Sequence, residues 1–438
     1  MMSPQRRREI VDALRRGTVP DRGLDVLAVG LERFAPTFDD ELGQVAAGRA
    51  GFKAVRGEYG SGKTFVSRWL CERARRSGFA TSEVQISEGE TPLHHLQTVY
   101  RRLVERMSTP DVHGGALRSV IDGWFFTLEE DVLADGKVDE ADEARLLRAT
   151  DALAEQRLEQ VTRRAPAFGA VLRAYRHAVA TGEADTAEGL LAWLGGQPHV
   201  AASVKRTAGI KGDLDHDGAL AFLAGLLVLL RDAGRPGLVV VLDEVETLQR
   251  VRSDVRERAL NALRQLIDEI DGGRFPGLYL VLTGTPAFYD GPQGIQRLTP
   301  LAQRLSTDFT TDARFDNPRA PQLRLAGFSL DALVEIGQRV RDLYADGADA
   351  PDRIRARIDD AYLTDLAKAV SGELGQQVGI APRIFLKKLV EGVLDRVDQF
   401  PDFDPRTHYT LTMTDGELTE IERNARAAGS VDDIDLDL

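Results

Sequence analysis

Apolar residues along this chain follow two rhythms. Short unbroken or alternating runs occur at 52–55, 80–87, 238–242, 278–283 and 323–325, and each reads as a β-strand. Leu238-Val239-Val240-Val241-Leu242 is apolar at successive positions, which suits a central parallel strand covered on both faces. Between these runs the period lengthens to that of a helix. Phe65, Val66, Trp69 and Leu70 mark one apolar face, and Ala259, Leu263, Leu266, Ile267 and Ile270 mark another. Strands alternating with helices predict an α/β fold built on a parallel sheet.

Two regions lack the strand rhythm. Residues 110–200 are helical in period and 195–215 form a return loop, so that 110–215 read as a helical insertion between the second strand and the next core helix. From Ser329 onward the pattern is again helical and separate in character. The predicted organisation is therefore an N-terminal helical segment (1–50), a first half of the α/β core (51–109), the insertion (110–215), a second half of the core (216–327), a helical lid with C-terminal helices (328–428) and an acidic tail (429–438). Finer expectations are two short helices within 4–33, a helix over Phe38–Ala47 and one over Pro92–Met107 with Pro92 near its start. A polar loop is expected over 306–321. Pro382 is expected to open a helix reaching Asp398, and Thr414 with Glu417 forms a capping box for a last helix to Ala428.

Composition narrows the class. A hydrophobic fraction of 43% and a charged fraction of 29% are ordinary for a soluble globular protein of two or three domains. The longest apolar run, 219–230, is too short to span a bilayer, which takes about 18 residues or more. Cys71 is the single cysteine, so no intrachain disulfide can form, and a buried thiol in a reducing, cytoplasmic setting is expected. The net charge of −13 argues against a protein that coats nucleic acid in bulk. The clusters Arg6-Arg7-Arg8 and Arg15-Arg16 read first as solvated helix faces, with phosphate contact as the alternative. Adjacent His94 and His95 lack metal-ligand spacing.

The chemistry concentrates where strands end. Gly57-Glu58-Tyr59-Gly60-Ser61-Gly62-Lys63-Thr64 follows the first strand and opens a helix, satisfying G-x-x-x-x-G-K-[ST] in its required context. Only glycines let a backbone wrap closely enough to aim several N–H groups at a triphosphate. The following helix adds its N-terminal partial charge. Lys63 would then reach the β- and γ-phosphates, and the Thr64 hydroxyl would ligate Mg²⁺. At the tip of the 238–242 run stand Asp243 and Glu244, placed where open α/β sheets bind ligands. Asp243 would hold Mg²⁺, and Glu244 would act as general base on the attacking water. The strand over 278–283 ends in Thr283-Gly284-Thr285; a polar side chain there would orient that water, and a plain strand-end turn explains it equally well.

The ordered set of 57–64, LDEVE at 242–246, the polar-ended strand at 283, Arg304 and the GIAPR entry into a C-terminal helix resembles AAA+ ATPases, closest to the origin-recognition and Cdc6-like branch. The resemblance covers roughly 30–400 apart from the insertion. The opening RRREIVDALRRGTVP…GLDVLAVGLERF and the block FKAVRGEYGSGKTF are similar to ATP-binding proteins of bacterial BREX phage-defence systems. The resemblance implies that Thr283, with Thr285 as competitor, stands at the sensor-1 position. It implies that Arg304 is the finger acting in trans on a neighbouring subunit's nucleotide, with Arg297, Arg314 and Arg319 as rivals, and that Arg383 is sensor 2. The long loop before the last strand departs from a compact AAA+ core.

It also implies ATP and Mg²⁺ as cofactors, a ring-like homo-oligomer, a helicase-like partner or other defence proteins, and DNA as a further contact. The expected function is hydrolysis of Mg-ATP to remodel or load a partner on DNA. The alternatives are a nucleotide-gated binding module with little hydrolysis, and a P-loop kinase, for which no acceptor-substrate lid is visible.

Overall fold

The computed structural model describes residues 2–139, 141–374, 382–414, 416–418 and 423. Its centre is a five-stranded sheet in the order β2-β3-β4-β1-β5. The strands are β1 Gly51–Arg56, β2 Ala80–Gln85, β3 Leu238–Asp243, β4 Leu278–Gly284 and β5 Gln322–Arg324. Every neighbouring pair is parallel. β4 lies between β1 and β3, with Val55 opposite Thr283 and Leu242 opposite Leu282. This register levels the C-terminal ends of three strands along one edge. It sets Thr283 between the loop that leaves β1 and the carboxylates that end β3.

The unbroken apolar run of β3 is explained by cores on both faces. Val239 and Val241 join Tyr279, Val281, Trp69 and Leu70 on the side of the helix Lys63–Arg76. Leu238, Val240 and Leu242 join the opposite core. That second core runs without interruption into the insertion, whose helices include Leu117–Ala134, Pro166–Ala180 and Ala184–Leu194. The buried helix His216–Asp232 is the link. Its Phe222 meets Tyr100, Phe168 and Trp193 edge-on at 6.1, 5.1 and 5.5 Å between ring centroids. The insertion therefore shares the core of the sheet and does not close one of its own.

A third core holds the C-terminal helices Leu330–Ala345, Pro351–Arg357 and Asp360–Glu373, and the helical run over 382–399. The N-terminal helix Pro4–Arg15 contributes Ile10, Val11 and Leu14 to it. Arg15 clamps the two ends of the chain together, donating to both carboxylate oxygens of Asp395 at 2.7 and 2.9 Å. Within the run, Lys388–Leu394 is π-helical, a form that recurs beside functional sites. Phe385 is fully buried at the centre of this core. Phe385→Ala should cost this helical region about 3–5 kcal/mol through lost burial and a cavity, seen as an earlier unfolding transition in urea.

Some local expectations shift. The helix expected from Pro92 begins at Leu96. The backbone N–H groups of Glu90 and Thr91 donate to the Ser87 hydroxyl at 3.2 and 3.0 Å, and His95 N–H donates to the Pro92 carbonyl at 3.0 Å. These local bonds satisfy the backbone in turns and delay the helix. His94 and His95 consequently stand ahead of the helix, with ring centroids 4.1 Å apart, and do not point to different faces of it. The 306–321 loop is pinned from β1: Lys53 Nζ donates to the Pro318 and Ala320 carbonyls at 3.0 and 2.8 Å. The Phe309 ring lies near the guanidinium carbons of Arg56 and Arg324, 4.8 and 5.0 Å away. Of the capping box, the Thr414 N–H donates to Glu417 Oε2 at 3.0 Å. The helix to Ala428, the acidic tail and Gly379–Ala381 lie outside the described residues, apart from Arg423.

Candidate functional site

The turn from β1 into the helix Lys63–Arg76 is where glycine is required. A Cβ on Gly57 would collide with the Ser61 side chain, and Gly62, immediately before the helix, has φ +91°. Lys63 follows at the first helical position and is buried. Its Nζ donates to the carbonyls of Gly57 and Glu58 at 2.9 and 3.3 Å and sits 5.0 Å from the centre of the Tyr59 ring. Burial lowers the Lys63 pKa below the ordinary lysine value, and the charges of Glu246 and Asp243 oppose that shift.

The acidic strand tip meets this loop directly. Thr64 Oγ1 donates to Asp243 Oδ2 at 3.3 Å. The other oxygen, Oδ1, accepts from Thr283 Oγ1 and from the Glu244 N–H, the latter at 3.1 Å. Thr283 is fully buried, and its hydroxyl also accepts from the Glu244 N–H at 3.2 Å. The competitor Thr285 instead precedes the short helix Pro286–Asp290. Glu244 adopts φ +60°, uncommon for a residue with a side chain, and turns the chain sharply at the strand end. Its Oε2 accepts from Gln85 Nε2, at the end of β2, at 2.8 Å.

A cavity of about 410 Å³ opens onto these groups. Tyr59, Gly60, Gly62, Lys63, Thr64, Asp243, Glu244 and Glu246 form its polar wall. Leu14, Val19, Pro20, Leu27, Phe65, Phe328, Ile336 and Leu386 form an apolar lobe. The apolar lobe draws on the N-terminal helix and the C-terminal helices as well as the α/β core. Arg383 lines the same cavity, and its Nη2 donates to the Glu417 carbonyl at 2.7 Å. Arg304 does not line it. Arg304 ends the short helix Thr299–Arg304, pairs with Asp268 and donates to the Pro300 carbonyl at 2.9 Å. Arg314 is exposed and stacks over Phe315 at 4.7 Å.

Three features escaped the sequence reading. Gln85 sits where a strand end reads as ordinary polar sequence. Glu246 reads in sequence only as part of LDEVE. The apolar lobe depends on which helices meet in space. Only the acidic spacing at 243, 244 and 246 gave a local signal for any of them.

The donor set fits a hydrated magnesium ion. Thr64 and Asp243 present hard oxygens to one another, and Mg²⁺ is commonly held by one or two protein oxygens, with water and phosphate completing its shell. Among the described residues, no group of three or more His, Cys, Asp or Glu could hold a metal alone. Among them, too, no helix is long and apolar enough to cross a membrane.

A glycine loop opening onto a helix N-terminus, the β2-β3-β4-β1-β5 order and an adjoining helical C-terminal region define an α/β P-loop nucleotide-binding protein. Residues 2–413 match the family described as BREX system ATP-binding protein BrxC/D. The chain belongs to that family, whose members bind ATP in BREX phage defence. A comparison with curated proteins returned no match.

Proposed function

We propose that this chain is an AAA+-type ATPase of the origin-recognition and Cdc6-like branch. It hydrolyses Mg-ATP at junctions between subunits and uses the change to remodel or load a partner on DNA in the cytoplasm during phage defence. The observation that carries this reading is the meeting of Lys63, Thr64, Asp243 and Glu244 around one cavity, with buried Thr283 bonded to Asp243 behind them.

Each residue has a defined task. Lys63, already fixed by two loop carbonyls, has one further N–H for the β- and γ-phosphates. Thr64 and Asp243 would hold Mg²⁺, which supplies charge neutralisation for the phosphates. Glu244 takes the proton of the attacking water as general base. Thr283 fixes the rotamer of Asp243 and the Glu244 backbone. Arg383 reaches the cavity from the helical lid, so occupancy of the site and lid position are coupled through it. Arg304 stands outside the cavity of its own subunit, which is the placement that a finger acting in trans requires.

One contact favours the slower, nucleotide-gated reading. Gln85 holds one oxygen of the Glu244 carboxylate at 2.8 Å, and a base engaged in this way is less available to an attacking water. Particle mass in solution, with and without a slowly hydrolysed ATP analogue, tests the subunit-junction reading. A shift to a closed oligomer with the analogue is expected. A chain that stays monomeric and still turns over ATP at full rate contradicts it. DNA contact is tested by binding across a salt series, since affinity carried by phosphate contacts falls steeply as salt rises.

A further inference from the structure

Glu246 is a charged residue in the cavity wall to which none of these tasks falls. It lies in the turn Val245–Gln249 directly after the acidic strand tip and is 4% exposed. Both carboxylate oxygens are buried without a hydrogen-bond partner. The Lys63 ammonium lies 3.8 Å from Oε1, an ion-pair distance too long for a hydrogen bond. A carboxylate buried in this way is costly unless donors surround it, and here they do not.

The charge is also of the wrong sign for a phosphate site. A triphosphate brings several negative charges into a cavity with a largely apolar lobe, where repulsion is less screened than in bulk water. Asp243 and Glu244 have tasks that justify their charge; Glu246 adds a third carboxylate facing the same lysine. Lys63 has one N–H left after the Gly57 and Glu58 carbonyls, and the phosphates and Glu246 both draw on that ammonium.

We propose that Glu246 is a positioning residue that shares Lys63 with the bound phosphates and thereby weakens the hold of the site on ATP, so that nucleotide can exchange. The proposal rests on the reading that Lys63 contacts the β- and γ-phosphates. It assigns the third acid of LDEVE to nucleotide release and not to the chemical step.

Glu246→Gln keeps the shape and removes the charge. Its ATP affinity, measured by competition against a fluorescent ATP analogue, should be about tenfold tighter, or about 1.4 kcal/mol. ADP, which lacks the γ-phosphate, should gain less, a split that a merely structural role would not produce. Glu246→Asp keeps the charge and should stay near the wild-type affinity. Glu257→Gln, an exposed acid on the helix Ser253–Asp271, controls for net charge and should change nothing. Should Glu246→Gln fail to fold by circular dichroism, Glu246→Ala removes the same charge and must tighten ATP likewise. Unchanged or weaker ATP binding in a folded variant overturns the proposal, as does failure of both variants to fold, which would mark Glu246 as structural. A wild-type chain that binds no ATP overturns instead the assignment of Lys63 to the phosphates.

Discussion

Lys63→Ala should lose ATP binding by on the order of 100-fold, because truncating one partner of a buried charged contact costs about 2–5 kcal/mol. The lysine is buried at the first turn of its helix and tied to two loop carbonyls, so no neighbouring side chain can replace it. The fold should survive. Lys63 belongs to none of the three apolar cores, and its removal leaves a hole that opens into the cavity and not into packed interior. Equilibrium titration with ATP, alongside a thermal melt, measures both. An affinity within threefold of wild type would place the nucleotide elsewhere.

The second large effect separates catalysis from binding. Glu244→Gln should lower turnover by about 10²–10⁴-fold, the range supplied by a positioned general base, while ATP affinity is kept or improved. The substitution leaves the backbone N–H that bonds Asp243 and Thr283 in place, so the metal-holding side of the site is undisturbed. An interaction made only in the transition state is lost from turnover and not from binding. Equal turnover in the variant and the wild type would remove the enzyme reading and leave the nucleotide-gated module.

Much of the site was legible before any coordinates because its chemistry is local. A glycine loop needs its residues at fixed offsets, and Gly57 to Thr64 supply them within eight consecutive positions. The β3 run announced its own burial through Leu238 to Leu242, and its carboxylates followed directly. The helical C-terminal region was legible as a change of period. What stayed hidden depends on contacts between distant segments. Gln85 meets Glu244 only because β2 pairs with β3. The N-terminal helix joins the lid core through Ile10, Val11 and Leu14, whose spacing shows an apolar face but not its partner. The late start of the Leu96 helix reflects side-chain bonds from Ser87 that compete with helix formation. The anchoring of the 306–321 loop rests on Lys53 in β1, whose partners lie more than 260 residues further along the chain.

The N-terminal helix also bears on how the site works. Leu14 and Gly17 line the cavity together with Tyr59, Gly60 and Gly62 to Phe65. Arg15 fixes that helix to the lid through Asp395, and Tyr344 donates to the same carboxylate at 2.8 Å.

The central claim is that the glycine loop and the acidic tip of β3 serve one magnesium-bound triphosphate. A structure determined with Mg²⁺ and a slowly hydrolysed ATP analogue tests it most directly. The triphosphate is expected within the Gly57–Thr64 loop and the metal between Thr64 and Asp243. Nucleotide bound away from Lys63, or a metal that touches neither Thr64 nor Asp243, would contradict it.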